Sequence, residues 1–444
     1  MKQKNSMPIL LLIAALCLWA GGRTGQRLLN LRQVYQLDLA APTDKAPPLV
    51  VFSTVALGGL RGMVADILWV KATTLQESGR YFEIAQIADW ITKLEPQFAM
   101  GWAFHGWNMA YNISYMFPNP EDRWRWINNG VRLIRDEGLK YNPGNPELYK
   151  EIGWIYQHKI GGVYDTAHMY YKQKLALEMS VITGPTGFIE READISRELR
   201  TLLLKEFGMT PESMIDTSSV YGPLDWRLPE SHAIYWAYQG KKSAAERYRT
   251  YSCDQMLIQN MEKTFTAGQL YFDPETGAYS TWPRFDIINK AIFAYEQAIS
   301  EHDSNIFRWA SANFMAKAVF VFHIFGFEED ARLLFATLNE KFPAPNNPDY
   351  YTLINNTFEA FKVQLSREGA LLLINGLLNQ ALLKNLEGKT GNAEKLTLQA
   401  KTIHNEHTKK VTEAGLKASL ELPPFDLLVN LTEKYAEDKD VRKH

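Results

Sequence analysis

Cysteine is almost missing from this chain: there are two, Cys17 inside an apolar N-terminal run and Cys253 far downstream. A disulfide between them would tie a membrane or signal segment to the folded body, so both read as unpaired thiols. That scarcity excludes a disulfide-dense secreted scaffold and any zinc site made mainly of thiolates. Charge of one sign is missing too. The 48 basic and 50 acidic residues are interleaved and leave a formal charge of −2, so there is no electrostatic case for nucleic acid. A phosphate loop is absent: Gly58-Gly59-Leu60-Arg61-Gly62 lacks the Lys and Ser/Thr that the chemistry needs, no strand-helix alternation surrounds it, and it reads as a tight turn. Nothing assembles a triad. His105, His158 and His232 lie in aromatic helical stretches, where a hydrogen-bonded structural histidine is expected rather than a general base. Cys253 stands beside Asp254 with no activating group and is expected to be a buried thiol. His404 and His407 are three apart on a helical stretch without a third ligand nearby, so solvent-facing histidines are expected, and neither a metal nor a cofactor.

Foldable material is plentiful. The 444 residues exceed the usual single core, which leaves several domains or an elongated repeat array, and 46% hydrophobic with 12% aromatic residues supplies a packed interior. The one long apolar run is N-terminal. Lys2 and Lys4 precede an uncharged stretch from Asn5 to Gly22, whose length falls between the roughly 20 residues of a span and the shorter core of an export signal. Ala20 and Gly22 suit cleavage, whereas Leu18 and Trp19 suit an uncleaved anchor, so residues 1–22 read as a signal-anchor or signal peptide. Either way the body is expected outside the cytoplasm: on the periplasmic side of a bacterial inner membrane, held to the lipid bilayer through residues 7–22, or exported after cleavage.

Residues 23–64 read as a linker and lead-in. The prolines of Ala41-Pro42-Thr43-Asp44-Lys45-Ala46-Pro47-Pro48 forbid a helix there, and the apolar stretch Leu49 to Leu60 is too short for a second span. From Ala65 the periodicity is helical. Ile67, Leu68, Ala72 and Leu75 share a face, Tyr81 to Leu94 makes a second helix ended by Glu95-Pro96, a third carries Trp102 to Met109, and Trp124 to Leu139 a fourth. The strongest joint follows. Tyr141-Asn142-Pro143-Gly144-Asn145-Pro146 stops one helix and starts another, with Gly in the turn and Pro in a first helical turn.

With Pro143 as a terminal proline, Tyr149, Ile152, Gly153 and Tyr156 fall at the packing positions of the next helix; with Pro96, so do Trp102, His105, Gly106 and Met109, and Gly79 falls at a turn. Gly326, Ala331, Phe335 and Pro343 occupy turn, small, aromatic and terminal positions in the same register. On these residues the chain resembles the tetratricopeptide repeat family, antiparallel helix pairs repeating every 34 or so residues. His105 departs from the pattern, the Pro96 to Pro143 interval is too long unless Met116 to Asp122 is an insertion, and Val163 to Pro185 fits loosely. The resemblance covers about half the chain and is missing over Gly187 to Gly222.

The resemblance implies an all-α fold, an irregular helical-hairpin solenoid: repeats over 65–185, an irregular insertion over 186–230, repeats again over 231–343, and a C-terminal helical region over 344–444. Ile189 to Phe207 is expected as a charged amphipathic helix, Ser231 to Tyr238 as a helix ending at Gly240, Tyr271 to Tyr279 as a short hairpin, and Leu353 to Leu420 as long helices broken near Gly388 to Gly391. In the family the first helix of each pair lines a concave surface. That register makes Trp107 equivalent to Trp154 and Tyr111 equivalent to His158, and Lys150 and Gln157 would add donors, giving a candidate peptide-binding face. The alternative is that these aromatics pack between repeats, and the inserted Trp124-Arg125-Trp126 carries the same two readings. Two functions follow. One is a non-enzymatic scaffold of the cell envelope that binds a protein or an extended peptide, with self-association as a further possibility; the other is a helical glycan- or peptide-active hydrolase with a carboxylate pair in the cleft, drawn from acids such as Asp225 and Glu230.

Overall fold

The computed structural model describes residues 61–437, other than 246–248, 344–346, 365 and 414–419, together with Arg23 and Arg27. The N-terminal apolar run, the proline-rich linker, Cys17 and the Gly58-Gly59 turn lie outside the described residues. The chain is mostly helical, with seventeen helices and one two-stranded sheet among the described residues. None of these helices is long and apolar enough to cross a membrane.

Helices α1 (Arg61–Glu77) and α2 (Tyr81–Leu94) turn about Gly79 at φ +70° and enclose their own small core of Ala72, Leu75, Ile84, Ile87 and Ile91. Helix α3 (Ala99–Trp107) runs on through a π-helical turn, Asn108–Ile113, and α4 (Pro120–Arg132) does the same through Leu133–Gly138 before a last turn, Leu139–Tyr141. These wide turns, with only a short bend over 116–119 between the helices, accommodate the excess length between Pro96 and Pro143. The pair packs antiparallel at backbone distance: a Cβ on Gly130 would stand 2.5 Å from the Gly106 carbonyl oxygen, while Trp102 lies against Gly138 at the other end. Only glycine permits that approach.

At the joint, the Asn142 amide donates to the carbonyls of Pro96 and Gly138 at 2.8 and 3.1 Å, Trp102 Nε1 donates to the same Pro96 carbonyl, and Trp102 stacks on Tyr141. Gly144 takes φ +69° and Asn145 caps the next helix, α5 (Pro146–Trp154, continued by a π-helical turn Ile155–Ile160), its side chain accepting from Glu147 N–H. Asn119-Pro120-Glu121 caps α4 by the same bond. One tripeptide, Asn-Pro-Glu, starts both helices.

The chain then leaves α5 for three helices before it returns: α6 (His168–Thr183), α7 (Arg197–Phe207) and α8 (Pro211–Tyr221). Helix α7 begins at Arg197 rather than near Ile189, because Ser196 caps it and a 3₁₀ turn, Glu192–Asp194, precedes it. The antiparallel partner of α5 is α9 (Pro229–Ser243). Gly144 meets Ser243, Tyr149 meets Gly240, Gly153 meets Ala233 and Gly161 meets Pro229. Helix α9 runs through Gly240 instead of ending there, since a Cβ at that position would lie 2.8 Å from Tyr149 and 3.0 Å from the Cys253 sulfur. Helix α10 (Tyr251–Ala267) packs on both, and strands β1 (Gln269–Asp273) and β2 (Ala278–Trp282) form the expected antiparallel hairpin, turning at Gly277.

Helices α11 (Ile288–His302), α12 (Asn305–Ile324) and α13 (Glu328–Lys341) follow, with Gly326 at φ +88° turning α12 into α13. Beyond α14 (Tyr350–Gln364), α15 (Arg367–Leu386) lays Gly376 against Ile324, and its Asn379 and Gln380 donate to the Phe325 and His323 carbonyls at the end of α12. Gly388 at φ +75° marks the break before α16 (Thr390–Glu413), and α17 (Phe425–Glu437) closes the fold with Tyr435 stacked on Trp282. One continuous core runs from Trp102 in α3 to Tyr435 in α17.

Candidate functional site

Helices α3 and α5 each carry an aromatic one turn above another: Trp107 and Tyr111 on the first, Trp154 and His158 on the second. The π-helical turns bring the two rows into register. Trp107 stacks on Tyr111 at 5.3 Å and Trp154 on His158 at 4.8 Å, and the Tyr111 hydroxyl reaches His158 Nδ1 at 3.3 Å, so the four rings form one ladder across two neighbouring helices. Tyr164 extends it, stacking on His158 at 4.6 Å while remaining 72% exposed. Tyr164 lies in a loop outside the helical register, where no local sequence signal marks it. All six expected site residues are half-buried.

The remaining two are engaged differently. Lys150 pairs with Glu151 at 2.7 Å and places its ammonium 5.7 Å from the Trp154 ring centre, which keeps a cation at the ladder's edge. Gln157 donates to Gln259 and accepts from Asn260 on α10, both at 2.9 Å, so it holds α5 to its neighbour. Both ends of its amide are thus taken up by α10.

The loop that carries Tyr164 is fixed by a buried anion. Asp165 accepts from Lys159 Nζ at 2.6 Å, Arg123 Nη1 at 2.8 Å, Ala167 N–H at 2.9 Å and Tyr171 Oη at 3.1 Å. Burial alone would raise its carboxyl, but Lys159, Ala167 and Arg123 together bring it below the ordinary range. Lys159 in turn sits 5.4 Å from the Tyr111 ring centre. Burial, helped by the Lys159 charge, lowers His158, so the ladder imidazole is neutral at pH 7 and its Nδ1 can accept.

The other singled-out residues have local explanations. His105 is buried and pushed down to about 4 by desolvation; His232 is likewise at about 4, bonded at 2.9 Å to the Trp226 carbonyl and stacked on Tyr156. Cys253 is buried, its thiol pushed up to about 12 by desolvation, as an inert thiol requires. His404 Nε2 meets the Pro423 carbonyl at 2.9 Å and His407 is buried, so the pair does not share a solvent-facing site. Trp124 is buried with its indole N–H on Glu178, whereas Trp126 packs on Phe82 and Phe117. Asp254, Glu301 and His302 converge closely enough to hold an ion, but Lys241 binds both carboxylates, at 2.5 and 2.8 Å, and supplies the positive charge there itself.

No family model matches the chain, and a search of the curated proteins finds no match.

Proposed function

We propose that this chain is a non-enzymatic scaffold of the cell envelope, built as an irregular tetratricopeptide-like solenoid, which binds an extended segment of another protein along the face carrying Trp107, Tyr111, Trp154 and His158. The observation that carries the reading is the ladder itself: four half-buried rings in contact across adjacent helices, ending on an exposed Tyr164. Flat apolar faces with a polar edge are the side chains that anchor protein interfaces. The backbone contacts of Gly106 with Gly130, and of Gly153 with Ala233, support stacked hairpins of the tetratricopeptide kind. The N-terminal apolar run supports attachment to, or export across, a bacterial inner membrane.

The carboxylates considered for a hydrolase are committed elsewhere. Asp225 is bound by the Arg227 guanidinium through both oxygens, at 2.9 and 2.6 Å, and Glu230 pairs with Lys263 at 2.5 Å. Neither is placed as a free proton donor. Gentle solubilisation of membranes followed by affinity capture, comparing the natural chain with Trp107→Ala/Trp154→Ala, tests the reading. A specific partner held by the first and lost by the second supports it; a partner held equally by both, or none held by either, refutes it.

A further inference from the structure

Between α6, α9, α10, β2 and the start of α15 lies a cavity of about 410 Å³ that the ladder does not use. Charges from distant parts of the chain meet there. Two ion pairs close on themselves: Lys263 with Glu230 at 2.5 Å and Lys317 with Glu262 at 2.7 Å. Two cations do not. Lys172, 8% exposed, spends its ammonium on neutral acceptors, the Gly162 carbonyl and His168 Nδ1, both at 3.2 Å, and among the described residues Arg367 donates only its Nε–H, to the Glu421 carbonyl at 3.1 Å. Among the described residues neither has a carboxylate within ion-pair distance; Glu368, which also lines the cavity, is exposed and lies beyond that distance from both.

Two further polar side chains lie on the wall. Asn375, 2% exposed, has its side-chain oxygen without a partner, and the half-buried Tyr279 has no hydroxyl hydrogen bond among the described residues. A buried polar group left unpaired costs about 1–3 kcal/mol, a penalty that a ligand bonded to the Asn375 amide would relieve. The groups on the wall that lack a counter-charge or a partner are mainly donors: the Lys172 ammonium, the Arg367 guanidinium, the Tyr279 phenol, and the Asn375 amide once its oxygen and nitrogen exchange places. The complement of such a set is an oxyanion. Leu228, Leu371, Leu372 and Phe361 supply an apolar wall beside it, and the volume falls in the range of about 300–1,000 Å³ that small-molecule sites occupy, well beyond a bare ion.

We propose that this cavity binds a small organic anion whose carboxylate or phosphate group is held by Lys172, Arg367, Tyr279 and the Asn375 amide. The site is independent of the ladder, so either can fail alone. Lys172 makes the site sensitive to pH. Burial above all, with Lys263 and Arg367 adding to it and Glu230 and Glu368 opposing, lowers its ammonium to about 7; His168 is the other ionisable group against it. An anion prefers the charged amine, so affinity falls as pH rises through 7.

Calorimetric titration of the full chain in mild detergent tests this with two probes, inorganic phosphate and succinate, each taken to about 10 mM, where even weak sites register. One saturable site per chain is expected for at least one probe. Phosphate alone binding identifies a phosphorylated ligand, succinate alone a carboxylate ligand. Lys172→Met and Arg367→Gln, checked for folding by circular dichroism, are each expected to weaken binding at least about tenfold, as loss of a charge-assisted bond implies. If succinate binds, its constant charge makes it the pH probe, and affinity should drop roughly 20-fold from pH 6.5 to 8.5, as linkage to a group titrating near 7 requires. That dependence should vanish in Lys172→Met. Saturation by neither probe, or saturation unaltered in both folded variants, overturns the proposal.

Discussion

Replacing Asp165 by Asn removes one negative charge from a site where two cations converge. The carboxylate has four donors on its two oxygens, and it and Lys159 are both nearly inaccessible. Asparagine keeps one oxygen for Arg123 and Ala167, but turns an N–H₂ toward the Lys159 ammonium. Leaving a buried charge unpaired typically costs about 3–5 kcal/mol. At about 2.1 cal/mol/K of unfolding entropy per residue over a cooperative fold of roughly 370 residues, 1 kcal/mol is worth little more than about 1 °C, so the expected fall in Tm is roughly 4–6 °C. Lys159→Met should cost less, because Asp165 then retains Arg123. The penalty also depends on pH. Burial already lowers Lys159, and without its partner it sits lower still, so the unfolded state binds more protons between that folded value and about 10.4, and the variant regains stability as pH rises through that window. Thermal unfolding by circular dichroism at three pH values, with hydrogen exchange read over 155–171, measures all of this. A loss under about 1 kcal/mol, or Lys159→Met proving the more damaging change, would refute the reasoning, since the pair would then behave as a solvated surface bridge.

Three further outcomes follow from the packing and the acid pairs. Gly130→Ala sets a methyl 2.5 Å from the Gly106 carbonyl and should destabilise by about 1–3 kcal/mol, despite the gain in helix propensity of about 1 kcal/mol, as read by chemical denaturation. Asn142→Ala removes the two bonds that tie the joint to Pro96 and Gly138 and should cost about 1–3 kcal/mol, with exchange rising at 96–102 and 138–146. Acid should unfold the natural chain in part through Asp165: its folded value lies below the unfolded one, so the stability it contributes is present above about pH 4 and is lost as pH falls below that, an effect absent from Asp165→Asn.

The joint at Asn142 to Tyr156 was legible because every determinant is local: Pro in the first turn, Gly at positive φ, an Asn cap, and aromatics at helical spacing. The helix ends near Gly79, Gly326 and Gly388 were readable for the same reason. The partner of α5 was not. Val163 to Pro185, next in the repeat register, fitted it only loosely, and Gly153 packs instead on Ala233 of α9, with α6 to α8 standing between them in sequence. Gly240 misled for a related cause, because a glycine needed for close approach looks the same in sequence as one that ends a helix. Of the candidate face, the equivalence of Trp107 with Trp154 and of Tyr111 with His158 came from register alone. Tyr164, the engagement of Gln157 with α10, and the meeting of Lys172 with Arg367 depend on contacts between distant segments that no local pattern encodes.

The ladder is the central claim, and a photo-crosslinking amino acid at Tyr164 tests it most directly. In cells expressing the full chain, irradiation should give one discrete adduct, and mass spectrometry should map it to an extended segment of a single partner. Trp107→Ala and Trp154→Ala should each weaken capture by roughly 30-fold, as interface anchors worth about 2 kcal/mol do. No adduct, or an adduct unchanged in both variants, would contradict the account.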